Sequence, residues 1–284
     1  MPVKISRRTF LASATAASMI QARPAARLKV GATDWNLELT CKIEAIALAK
    51  KLGFDGVQVS IGRQIAGGKM PLDNSELLAR YRAESRKLRM PIDGTCLDRL
   101  HEDCLKNSEA ARRRVSDGIR ITKSLGVRVL LLPFFGKCEL APGDFDYTAD
   151  ALRELAPEAE KAGVILGLEN TLSAEDNVRI MDRTKSSAVL VYYDVGNSTH
   201  WRHDVLKEIP WLGKNRICQF HLKDNPHYLG EGPIDFPKVL QAIRDIGFDG
   251  YANLETDSPS KSIEADMSRN LAFVREIVKR EARA

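Results

Sequence analysis

The sequence predicts an α/β protein of the (β/α)8, or TIM barrel, class. Three observations carry that expectation. Apolar runs of strand length recur eight times, starting near Leu28, Phe54, Met90, Val127, Val164, Val189, Arg216 and Phe248. Segments with helical periodicity fill the intervals. Successive strand starts are about 25 to 37 residues apart, the size of one strand–helix unit. A doubly wound open sheet is the alternative, and it would place a Gly-rich phosphate loop after an early strand. The first strand–helix junction here reads Ala32-Thr33-Asp34-Trp35-Asn36 instead.

Each helix has its own signal. Ile43, Ile46 and Ala47 form an apolar face opposite Lys50-Lys51, and Leu77, Leu78 and Tyr81 do the same in the next interval. The stretch from Ala110 to Leu125 is longer and richly charged. Several helices stop at a glycine just before a strand, at Gly53, Gly126, Gly163 and Gly247. Glycine supplies the left-handed C-terminal cap at no steric cost. Pro237 after Asp235 marks a helix start, with the aspartate as N-cap. No low-complexity linker interrupts residues 28–284, which read as one domain.

Residues 1–27 read as an address. Ser6-Arg7-Arg8-Thr9-Phe10-Leu11 is similar to a twin-arginine export signal, followed by a short small-residue apolar run to Ile20. That run falls short of the roughly 20 apolar residues that span a bilayer. An exported, periplasmic protein is expected, with no transmembrane segment in the mature chain. The formal charge is +5 over 284 residues. Lys4, Arg7, Arg8, Arg23 and Arg27 stand in this leader without an acid and account for all of it. The body is charge-balanced, so a basic nucleic-acid surface is not expected. The five cysteines are scattered without a C-x-x-C pair and read as ordinary core or loop thiols; Cys96 and Cys104, the only pair close in sequence, are not expected to be bridged.

The chemistry collects at the ends of the last four strands. Val164–Leu168 runs into Glu169-Asn170, Val189–Tyr193 into Asp194, Ile217–Phe220 into His221, and Tyr251–Leu254 into Glu255. A barrel of this class builds its site from these C-terminal strand ends. One such carboxylate alone is as readily a helix cap or a loop ion pair. Four convergent positions are different, because ionised carboxylates after apolar strands need a partner that offsets their desolvation. A divalent cation does this for three at once. Three carboxylate oxygens and one imidazole suit Mn²⁺, Mg²⁺ or Co²⁺, with positions left for substrate.

With these strand ends, the segments Gly167-Leu168-Glu169-Asn170, Tyr193-Asp194-Val195-Gly196-Asn197, Phe220-His221-Leu222-Lys223-Asp224, Leu229-Gly230-Glu231-Gly232, Asp235-Phe236 and Asn253-Leu254-Glu255 make residues 28–284 resemble a known family. It is the sugar phosphate isomerase/epimerase family of xylose-isomerase-like barrels, with its D-tagatose 3-epimerases, hydroxypyruvate isomerases and inosose dehydratases. The resemblance implies that Glu169, Asp194, His221 and Glu255 are metal ligands. It also implies that Glu169 and Glu255 exchange protons with a small carbohydrate. Physically, a cation on a carbonyl and the neighbouring hydroxyl acidifies the C–H between them by stabilising an enediolate. Two carboxylates on opposite faces can then remove and return a proton, which inverts the carbon.

Around this set the chain departs from the epimerases. Asn197 stands where they place a histidine, while Glu175 matches one of their positions near the substrate. Lys223 and His227 are the candidates for their arginine after the metal histidine. The Lys223-Asp224 pair and the Gly230-Glu231-Gly232 loop look more like the inosose dehydratase branch; the structural alternative is Lys223 paired with Asp224 or Glu231 to hold a loop. His101, in the loop after the third strand, is a further substrate-contact candidate. The leading expectation is an isomerase or epimerase of a keto-sugar. The runner-up is a lyase that dehydrates an inosose or β-eliminates a 3-keto-glycoside, with Lys223 or His227 as acid. An abasic-site endonuclease shares the barrel but needs many histidines, and this chain has five. A non-catalytic sugar-binding protein fits poorly with intact ligands and two candidate bases. Room is left for a homo-oligomer.

Overall fold

The computed structural model describes residues 28–281, so the twin-arginine segment lies outside the described residues. Eight parallel strands close into a barrel in sequence order. They are β1 (Lys29–Thr33), β2 (Gly56–Ser60), β3 (Ile92–Cys96), β4 (Val129–Pro133), β5 (Ile165–Glu169), β6 (Val189–Asp194), β7 (Ile217–Leu222) and β8 (Tyr251–Leu254). Closure comes from β8 pairing with β1, where Val30 lies beside Ala252.

The helices α1 (Glu44–Leu52), α2 (Ser75–Leu88), α3 (Glu109–Leu125), α4 (Phe145–Ala162) and α5 (Ala174–Thr184) follow the first five strands in turn. Two helices follow β6, α6 (Val195–His200) and α7 (Val205–Leu212). The ring ends with α8 (Phe236–Asp245) and α9 (Ile263–Glu281). The glycine stops are left-handed, with φ of 88° at Gly53, 76° at Gly126 and 71° at Gly163. Asp235 caps α8 by accepting from the Lys238 amide at 3.2 Å. The last strand begins at Tyr251, later than the apolar run at Phe248 suggests. Phe248 instead packs edge-on against Phe220, 4.9 Å between centroids, before the chain enters the sheet.

Strand residues alternate between two environments. Outward side chains such as Val57, Val59, Leu130, Leu132, Leu166 and Leu168 join the helices in one large apolar core. Inward side chains are mixed. Cys96, Val129, Leu131 and Tyr192 form a small apolar cluster. Gln58, Asp93, Gln219, His221 and Asn253 are buried beside it and are polar.

The cysteine expectation is corrected at one place. Cys104 and Cys138 form a disulfide across 34 residues of sequence. Cys104 follows β3 and Cys138 follows β4, and both loops fold over the same mouth of the barrel. Neighbouring strands bring together what the sequence spaces apart. Cys41, Cys96 and Cys218 are free.

Candidate active site

The strand ends converge. Asp194 and His221 are register partners across β6 and β7. Nδ1 of His221 lies 2.8 Å from Glu169 Oε1, 3.8 Å from Asp194 Oδ2 and 3.5 Å from Glu255 Oε2. One donor atom from each of the four residues lies within 4.8 Å of the others. Asp194 divides its two oxygens. Oδ1 accepts the Asn197 amide at 2.7 Å and so caps α6, which leaves Oδ2 facing the cluster. There Lys223 Nζ lies 2.7 Å away as an ion pair, without the alignment of a hydrogen bond.

Lys223 also donates to Glu255 Oε2 at 2.6 Å, and the indole Nε1–H of Trp35 donates to Glu255 Oε1 at 2.9 Å. The electrostatics follow from this crowd of charges. Burial opposes charge on His221, yet Glu255, Glu169 and Asp194 outweigh it and lift the imidazole to about 9. Burial likewise opposes the Glu255 carboxylate, but Lys223 and His221 hold it down at about 2. Asp194 goes the other way: burial dominates and raises its carboxyl, against the pull of Lys223. The protein thus gathers three carboxylates and offsets them with two cations of its own. A donor set of three carboxylate oxygens and one imidazole nitrogen, with a buried carboxylate oxygen that accepts no aligned hydrogen bond, fits a hard divalent cation.

Above this floor is a cavity of about 710 Å³. Glu169, Glu255 and Lys223 form its floor, and Trp35, Arg63, Asp98, His101 and Phe135 stand on its walls. His101 stacks on Phe135, 6.1 Å between centroids, next to the Cys104–Cys138 disulfide. A second cavity of about 270 Å³ shares Asn197 and Lys223 with the first and is otherwise lined by residues such as Thr199, His200, Asn225 and Ile234.

Of the residues singled out from sequence, the structure brings Glu169, Asp194, His221, Glu255, Lys223, Asn197 and His101 to this site. It does not bring Glu175 or His227. Glu175 is exposed in the first turn of α5, and His227 is exposed beyond β7; neither lines a cavity described above. Lys223 does not pair with Asp224 or Glu231. Asp224 accepts the Gly232 amide at 3.0 Å, and Glu231 pairs with Arg269. Trp35 and Gln58 escaped sequence reasoning. Their signals were an aromatic residue just past a strand end and a polar residue in the middle of a buried strand.

A family profile described as xylose isomerase-like TIM barrel matches residues 46–277. The 2-epi-5-epi-valiolone 7-phosphate 2-epimerase of Actinoplanes sp. is 27% identical over 212 residues, 72% of this chain and 76% of that protein. Among solved structures, a D-psicose 3-epimerase superposes with a TM-score of 0.75 at 15% identity, covering 88% of this chain and 99% of that one. A 3-keto-D-glucoside 4-epimerase from E. coli gives 0.72 at 15% identity, covering 88% and 100%. Both structures share the fold.

Proposed function

The chain belongs to the xylose isomerase-like TIM barrel family, and from that premise we propose that it is a divalent-metal-dependent isomerase or epimerase of a keto-sugar. The observation that carries this reading is the pair Glu169 and Glu255. They come from strands separated by β6 and β7, converge on the same His221 nitrogen, and both face the large cavity. A cation held by Glu169, Asp194, His221 and Glu255 would polarise a carbonyl and the neighbouring hydroxyl of the sugar. One glutamate then takes the acidified proton and the other returns one from the far face. Lys223 and Trp35 keep Glu255 ionised and oriented. The related protein cited above is an epimerase by name, which supports the reading.

A β-eliminating lyase is the second reading. Lys223 lines both cavities, where it could protonate a group leaving one for the other. Although burial works against its charge, Asp194 and Glu255 hold its ammonium well above the usual range. The reading stands second because the related protein is an epimerase by name. Metal analysis followed by proton NMR of keto-sugars in D₂O tests both. A new epimer supports the first reading, loss of water or an aglycone supports the second, and no deuterium exchange with any keto-sugar sinks both.

We also propose export, from the Ser6–Leu11 pattern. The Cys104–Cys138 disulfide supports it, because such bonds persist in oxidising compartments. Unchanged export of an Arg7→Lys, Arg8→Lys double variant in cell fractionation would overturn it.

A further inference from the structure

Beneath the four candidate ligands the barrel interior is polar, and its hydrogen bonds run as one chain up to His221. Nε2 of His221 lies 2.8 Å from Gln58 Oε1. The same oxygen accepts the Tyr192 hydroxyl at 3.2 Å. The Tyr192 oxygen in turn accepts Asn253 Nδ2–H at 3.0 Å. Asn253 Nδ2 also donates to Asp93 Oδ1 at 3.2 Å, and Gln219 donates to the Asp93 carbonyl at 2.8 Å. Gln58, Asn253 and His221 are 0% exposed and Tyr192 is 1% exposed, so water does not compete for these bonds.

We propose that Gln58 is a positioning residue: by accepting the Nε2–H of His221 it presents the Nδ1 lone pair to a divalent cation held with Glu169, Asp194 and Glu255. This rests on the metal site read above.

The direction of each bond follows from the donors available. A neutral imidazole carries one proton, and the partner of one nitrogen decides what the other can do. Nδ1 faces three carboxylates; a cation held among them would take the place of the Nδ1 proton, and the one proton that a neutral imidazole keeps must then reside on Nε2. Gln58 can accept it only if its amide presents Oε1 rather than its NH₂ group. Tyr192 favours that orientation. Its oxygen already takes the Asn253 N–H, so its own O–H is free to donate, and it donates to Gln58 Oε1. A flipped Gln58 amide would set its N–H against the Nε2–H of His221 and leave the Tyr192 O–H without its acceptor. At the base of the chain, burial pushes the Asp93 carboxyl up to about 8, so it stands neutral at pH 7. Two buried oxygens at this base, Asp93 Oδ2 and Asn253 Oδ1, have no hydrogen-bond partner. Both crowd the point where a Cβ on Gly31 would stand, so glycine at 31 leaves the room the column occupies.

The test is the affinity of the metal-stripped full chain for Mn²⁺ alone, measured by calorimetry. Gln58→Met keeps the shape and removes the acceptor, and its Kd should rise about 10- to 100-fold, as for other partners of metal-bound histidines. Gln58→Glu restores an acceptor and should bind within a few-fold of wild type. Tyr192→Phe releases the Gln58 amide and should fall between. In the Mg²⁺-loaded wild type, long-range ¹H–¹⁵N spectra should place the His221 proton on Nε2. Wild-type affinity in both Gln58→Met and Tyr192→Phe, or a proton on Nδ1, overturns the proposal. Should Gln58→Met not fold, Tyr192→Phe and the spectrum decide. A wild type that binds no Mn²⁺ at all instead sinks the metal site itself, and the positioning role with it.

Discussion

The indole Nε1–H of Trp35 donates to Glu255 Oε1 at 2.9 Å, so the residue just past the first strand fixes the residue just past the last. Barrel closure puts them together, because β1 pairs with β8. Trp35→Phe keeps an aromatic wall and deletes the donor. The variant should lose about 1.5–3 kcal/mol of unfolding free energy, the typical worth of a hydrogen bond to a charged group. Urea unfolding of the metal-free protein measures it, and an unchanged midpoint would show that the bond contributes nothing.

Occupation of the proposed cation site should be visible in stability. Ligand binding to the native state alone adds free energy by mass action, about 2.7 kcal/mol at a hundredfold excess over Kd. Chelated wild type should therefore gain Tm when Mn²⁺ is added. His221→Ala and Asp194→Ala should gain none. An equal rise in both variants would mean that the cation binds elsewhere.

Glu169→Gln and Glu255→Gln keep an oxygen for the cation and remove the base. In an epimerase each carboxylate serves one face, so both variants should lose conversion, while each should retain deuterium exchange on its remaining face. In a lyase a single glutamate abstracts the proton. One variant should then drop by about 10²–10⁴-fold and the other suffer less. Wild-type turnover in both would end the enolisation mechanism.

Asp93 predicts a pH dependence of stability. Burial raises its carboxyl from 3.8 to about 8. Between those values the native state holds a proton that the unfolded chain has released, so stability falls as pH rises. The contribution is complete below 3.8 and lost as pH passes through 8, with a slope of at most about 1.4 kcal/mol per pH unit. Asp93→Asn is isosteric and does not titrate. Urea unfolding from pH 5 to 8 with chelator present should show a flatter decline for the variant than for wild type. His221 and Asp194 add the same sign of slope in both proteins, so the difference reports Asp93 together with its coupling to His221. Parallel declines would refute a neutral buried Asp93.

The fold was legible because strand and helix leave different periods in a chain, and because glycine stops mark where one gives way to the other. Glu169, Asp194, His221 and Glu255 were legible for a related reason. Each ends an apolar run, and a barrel gathers such ends on one face whatever the loops do. Glu175 shows the limit of that logic. Six residues past a strand end it is already on α5, whose first turn points it to solvent. Sequence distance beyond the strand no longer sets direction there.

Local pattern, then, determined the eight strands, their order and the four convergent ligand-type residues. Only the tertiary structure decided what surrounds them. Lys223 has an adjacent acid in sequence but pairs with Asp194 and Glu255 at the ends of the two strands that flank its own. The Cys104–Cys138 bond joins two loops that sequence separates by 34 residues. Gln58 meets His221 across the barrel interior, 163 residues away. Each of these contacts exists because a closed sheet makes neighbours of side chains by strand position and inward direction, and neither quantity is written in the spacing along the chain.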